Sequence, residues 1–245
     1  MKQRVLIAVC AIVLAGLLLA EPALAGPGGK IARAVFETFW GKVALAGLTI
    51  VFAPIIIYTL VREKLAERRA LRDLHFMARH HQLFDWLGVH QRAIDCFTRV
   101  HAAWSREDVR EAAEWMTEWY WQNQQVAHLA RWEREGLRNV CQVRRLRQVR
   151  PLLFAHHNNG AEHEGSLLVL SITANLCDYL QARATGVVVE GSKAFKDVTT
   201  LWTFVVCDGR WRVANIEEDT LSLMYARYAA TLPPVESTLG HSLSA

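Results

Sequence analysis

The sequence predicts an α+β protein, with N-terminal helices packed on a curved antiparallel sheet, preceded by a signal-like segment and one transmembrane helix. Three observations predict it. Helical periodicity over residues 83–136 gives way to a period of two beyond Gly136. Asp208-Gly209 joins two alternating runs in the manner of a tight hairpin. A stretch of 19 residues, Val43 to Val61, carries no charge.

The chain has 245 residues, room for one or two domains, and 52% of them are apolar, which is high for a purely soluble protein. The excess lies at the start. Lys2 and Arg4 precede an apolar run from Val5 to Ala20, and Ala23-Leu24-Ala25 fits a signal-peptidase site. Residues 1–25 are therefore expected to be a signal peptide or an uncleaved anchor, and 26–42 a short extracytoplasmic linker. The charge-free run at 43–61 spans roughly 28 Å as a helix, close to a bilayer core. Gly47 and Pro54 inside it are tolerated in membrane helices.

Charge sets the expected orientation. Residues 26–42 hold three basic residues, whereas 62–79 hold six: Arg62, Lys64, Arg68, Arg69, Arg72 and Arg79. The positive-inside rule places everything after the span in the cytoplasm. A signal sequence followed by one span gives the same answer. Residues 62–82 read as a basic juxtamembrane helix with its arginines near anionic headgroups. The net charge of +4 thus belongs beside the membrane, and no DNA partner is expected.

A soluble domain is expected over 83–235. Leu83, Leu87, Ile94, Phe97, Val100 and Trp104 recur at helical steps. Ser105 reads as an N-cap for a following helix that carries Val109, Ala112, Ala113, Met116, Trp119 and Tyr120. A third helix from Gln122 ends at Gly136. Asn139 to Phe154 reads as a long or bent strand, and 156–165 as its return loop. In the next strand Leu168, Leu170, Ile172, Ala174 and Leu176 face the core, while a more polar set faces the other way. Residues 182–196 read as a loop or short strand, Val198 to Val206 as a third strand, and Trp211 to Ile216 as a fourth. Residues 236–245 are expected to be a disordered tail.

Two segments carry a family resemblance. One is the helix with Phe97-Thr98-Arg99-Val100-His101-Ala102-Ala103-Trp104, followed by the Asp108 segment. The other runs Leu201-Trp202-Thr203-Phe204-Val205-Val206-Cys207-Asp208-Gly209-Arg210-Trp211-Arg212-Val213. Together they resemble the C-terminal domain of the mitochondrial inner-membrane translocase subunit 44 family (Tim44-like), which includes bacterial membrane-anchored relatives. The resemblance covers about residues 83–230. It implies a cone-shaped domain of the nuclear-transport-factor-2-like superfold. It also implies a role at an inner membrane, with affinity for anionic lipid such as cardiolipin. The mitochondrial arm that recruits the import machinery is replaced here by a signal sequence and a span, so protein import does not carry over.

Few residues point to chemistry. His156, His157 and His163 share a loop with Glu162 and Glu164, but their spacing fits no standard metal site, and no metal or cofactor is expected. Arg144, Arg145, Arg147 and Arg150 make a basic strand, a candidate contact for anionic lipid or a protein partner; 145 and 147 would share one face, 144 and 150 the other. Trp115, Trp119, Trp121 and Trp132 read mainly as core packing, with 115 and 119 on one helix face. Trp202, Phe204 and Leu170 are candidate pocket lining. Asp178 with Tyr179, and Asp197, are available acids near strand ends, but no nucleophile elbow, phosphate loop or metalloprotease motif is present. The sequence thus points to a non-catalytic, membrane-tethered interaction module. It would sit on the cytoplasmic face of a bacterial inner membrane and bind an unidentified membrane protein or complex. A ligand-binding or enzymatic cone and a periplasmic secretion-system scaffold are the alternatives.

Overall fold

The computed structural model of the protein describes residues 38–157 and 163–239. The signal-like segment, residues 26–37 of the linker and residues 240–245 lie outside the described residues. The chain divides into two units, Met1–Val61 and Arg62–Ala245. The dividing point falls where the charge-free run ends. Helix α1 (Phe39–Ala78) contributes to both.

In the first unit α1 presents exposed Leu48, Ile50, Val51, Ile55 and Ile56, and Pro54 lies within it. Among the described residues it is the one helix long and apolar enough to cross a membrane. In the second unit α1 changes character. Ala66, Ala70, Leu74 and Met77 recur every three or four residues and are all buried. Small alanines let this stretch lie close to the sheet. The compact unit begins at Arg62 rather than at residue 83, and the basic helix expected to leave the bilayer over 62–82 is part of it. Arg69 is committed there too: it donates to the carbonyls of Leu232 (2.5 Å) and Pro233 (3.0 Å).

Helix α2 (Trp86–Ser105) is capped by Asp85, which accepts from the Gly88 amide at 3.0 Å. Ser105 is the last residue of α2, not an N-cap, and its hydroxyl reaches the carbonyl of Cys141 at 2.7 Å. Asp108 does the capping instead, for a 3-10 segment Val109–Trp115. The helix expected to continue past residue 116 breaks there. Met116 makes a parallel bridge to Val213, and the Thr117 amide donates to the Val213 carbonyl at 2.8 Å. Pairing with a strand edge outcompetes helix propagation at these two residues. Helix α3 (Glu118–Gln124), a π segment (Gln125–Leu129) and helix α4 (Ala130–Arg134) then follow without a gap.

Four strands form one antiparallel sheet in the order β1 (Leu137–Ala155), β2 (Leu167–Ala182), β3 (Val188–Cys207) and β4 (Arg210–Glu218). Asp208 and Gly209 both take positive φ, as a two-residue type I′ hairpin requires. Strand β3 is twice as long as expected: most of the presumed loop at 182–196 is strand. Gly191 makes that possible. Its φ is +81°, and a Cβ there would lie 2.4 Å from the Asp178 carbonyl oxygen. Register shifts between Val143 and Arg145, Leu146 and Gln148, and Pro151 and Leu153 bend β1.

Helices α2 to α4 cover one face. Phe154, Leu168, Leu170, Ile172, Trp202, Phe204, Trp211 and Val213 meet Phe84, Val89, Phe97 and Val100 there. The other face is also covered, over part of its length. Leu152, Leu153, Val169 and Leu201 pack against Ala66 of α1 and Ala226 and Ala229 of helix α5 (Ser222–Thr231). On this face, expected to be the more polar one, Val169 and Ser171 are therefore buried. Beyond α5 the chain turns again at Val235–Thr238 with Val235 buried, so order extends past the expected start of a disordered tail at 236.

Candidate functional site

The helix-covered face has two ends. At the hairpin end Phe84 packs edge-on against Phe154 (5.6 Å) and Trp211 (6.1 Å), and Phe204 is 1% exposed. At the opposite end the sheet and helices enclose a cavity of about 330 Å³. Its wall is aromatic, from Trp104, Tyr120, Trp132 and Trp202 together with His101 and His128. Asn139, Asp178, Gln124 and Thr200 supply the polar atoms. Of the expected lining only Trp202 lies here. Phe204, paired with Leu168, is two strand positions deeper in filled core, and Leu170, level with Trp202 as its partner on β2, is fully buried and outside the lining.

Each polar group has a defined geometry. His101 Nδ1 lies 2.9 Å from the Phe97 carbonyl, which can only accept, so Nδ1 carries the proton and Nε2 is left as an acceptor. The ring stacks on Trp202 at 5.6 Å. Burial holds the His101 pKa below its usual value, with the Phe97 bond and Asp178 opposing. His128 is lowered by burial and by nearby Arg131. Burial pushes the Cys141 thiol up to about 12. Asn139 is buried and donates to Asp178 Oδ1 at 3.0 Å, which leaves its own carbonyl oxygen and Asp178 Oδ2 as acceptors. Trp202 Nε1 donates to Thr200 (2.9 Å), whereas the shielded Trp132 Nε1 has no acceptor.

The Tim44-like domain family matches this chain over residues 71–218, more than half its length. The chain belongs to the Tim44-like family. Among solved structures, the intermembrane space region of the chloroplast protein ARC6 is similar at 11% identity and a TM-score of 0.37, covering 52% of this chain and 93% of that one. No curated protein matches.

Within the Tim44-like domain the basic strand of β1 is largely paired. Arg147 Nε lies 3.4 Å from Asp197, Arg150 reaches Glu63 and Glu67 (both 3.8 Å), and Arg144 sits 4.0 Å over the Phe195 ring. The expected division into two faces fails because the bulges at 143–148 interrupt the alternation. Arg145 remains exposed.

The histidines gather differently from their sequence order. His156 Nε2 and His163 Nδ1 are 2.9 Å apart, and His81 from the start of the domain packs edge-on against His163 at 4.9 Å. His157 is exposed, and Glu162 lies outside the described residues. The His–His hydrogen bond occupies the ring nitrogens a metal would need. Among the described residues no group of three His, Cys, Asp or Glu side chains is placed to hold one. Burial, with His163 and His157 nearby, lowers the His156 pKa to about 4. Cys96, Cys141, Cys177 and Cys207 are free thiols.

The tryptophans also part company. Trp115 lies beneath Arg92 (3.8 Å) and Arg99 (4.8 Å), while Trp119, across the break at Met116, is 70% exposed. The cavity role of Trp132 was not read from sequence. Its spacing of four from His128, with Trp104 opposite, is visible only once the helices are placed.

Proposed function

We propose that this protein is a non-catalytic, membrane-tethered interaction module. The supporting observation is the uncharged, exposed run of α1 immediately before a Tim44-like domain. Val43–Val61 crosses the cell (inner) membrane of a bacterium. The domain stands on the cytoplasmic side, where the excess of arginines after the span favours it. It binds another membrane protein or a subunit of a membrane complex, with the open end of the sheet as the contact. Arg145, and to a lesser degree the paired Arg144, Arg147 and Arg150, face anionic lipid. The state of the wall groups supports a binding role: its one carboxylate, Asp178, is held by Asn139, and burial keeps the Cys141 thiol protonated.

Two measurements test this. A reporter fused after residue 245 should be active only as a cytoplasmic fusion; activity confined to the periplasm overturns the orientation. The full chain, purified from solubilised membranes, should bring down a defined membrane protein. Recovery of none, together with no binding to vesicles containing anionic lipid, overturns the module reading.

A further inference from the structure

The cavity at the open end has an unusual balance of groups. Its wall carries a single formal charge, the carboxylate of Asp178. Both histidines in the wall are biased to the neutral form by burial, and the Cys141 thiol stays protonated. Arg131, behind His128, lies within 3.9 Å of Glu135 and is not part of the wall. The acceptors are Asp178 Oδ2, the Asn139 carbonyl oxygen and His101 Nε2, and the donors beside them, the Gln124 amide and the Thr200 hydroxyl, are neutral. Around them stand the π faces of Trp104, Trp132, Trp202 and Tyr120.

Occupants can be ranked by chemistry. An anion meets a carboxylate and no cation. An apolar chain strips water from the acceptors and offers no donor in return, a desolvation cost with nothing to offset it. An organic cation does the reverse, since aromatic faces attract it and the carboxylate neutralises it. Trp132 contributes a ring face, since its indole N–H is shielded from the cavity as well as from solvent.

We propose that this cavity is a binding site for a small organic cation of the ammonium or guanidinium class. The volume of about 330 Å³ suits such a group. Two sources share this chemistry: an arginine or lysine side chain of a peptide, or a free amine.

The full chain in an uncharged maltoside detergent, labelled with ¹⁵N, reports through the tryptophan indole N–H signals. Choline, N-acetyl-arginine amide and 3,3-dimethylbutanol, the uncharged isostere of choline, are titrated separately. The expected result is a saturable shift of the Trp132 indole signal with at least one of the cations, about tenfold tighter than with the isostere. Asp178→Asn should weaken the cation about tenfold and leave the isostere unchanged. Tighter binding of the arginine amide assigns the site to a peptide side chain, and tighter binding of choline assigns it to a free amine. Binding of both cations no tighter than the isostere, or no shift with either cation, overturns the inference. The folded state of Asp178→Asn is read from its remaining indole signals, and Trp132→Phe, whose smaller ring face attracts a cation less and should weaken the cations severalfold, supplies an independent variant. The inference stands apart from the partner reading: a chain that captures a membrane protein but no cation loses only this proposal.

Discussion

The two ends of the helix-covered face share the same strands and are finished differently. At the hairpin end Phe84, Phe154, Phe204 and Trp211 fill the space with rings, and Trp211 Nε1 is satisfied by the Leu83 carbonyl at 2.9 Å. Two residues back along β3, Trp202 borders a cavity, and across it Trp132 keeps an unsatisfied N–H. A core under selection for stability alone closes such space and pairs such groups. The contrast teaches that the fold is anchored at one end and left available at the other.

The largest expected effect breaks the anchored end. Phe204→Ala should cost about 3–5 kcal/mol, read from chemical denaturation of the full chain in detergent. Gly191→Ala attacks the open end through the backbone, because a positive φ and contact with the Asp178 carbonyl leave no room for a methyl group; about 1–3 kcal/mol should be lost.

Acid should loosen the hairpin end. His156 has its folded pKa lowered to about 4 by burial, while an unfolded imidazole titrates near 6.5. Between those values the unfolded chain holds more protons, so stability is full above about pH 6.5 and falls toward pH 4, by about 1–3 kcal/mol. His163 and His101 are lowered too and act with the same sign. His156→Gln should flatten the pH dependence of thermal unfolding; an unchanged slope rejects the assignment.

The smallest effects sharpen the comparison. Trp132→Phe should change stability by no more than about 0.5 kcal/mol, since the deleted N–H has no partner to lose. Arg147→Gln should be equally mild, because its pair with Asp197 is exposed.

Much of this architecture is legible in the sequence. The period-two alternation of 168–176, the Asp208-Gly209 turn and the charge-free run at 43–61 each carry a local signal strong enough to read. What escapes reading depends on tertiary partners. The run through Val109–Tyr120 is helical in pattern, yet breaks where Met116 and Thr117 pair with Val213. Helix α5 is short, and its buried Ala226 and Ala229 give only a faint apolar stripe. The alternation of the β1 arginines misleads because bulges shift them. At the candidate site, Trp202 was legible from strand alternation. His101, Asn139 and Trp132 were not, since they come from three separate elements and form a wall only when α2, α4 and β1 are assembled.

One measurement tests the account most directly. A photo-crosslinking amino acid is placed at Gln124, on the cavity wall, and in parallel at exposed Arg210 beside the hairpin. Both full-length variants are irradiated in native membranes. The account predicts a discrete crosslinked membrane protein from position 124 and none from position 210. The same products from both positions, or none from either, would contradict it.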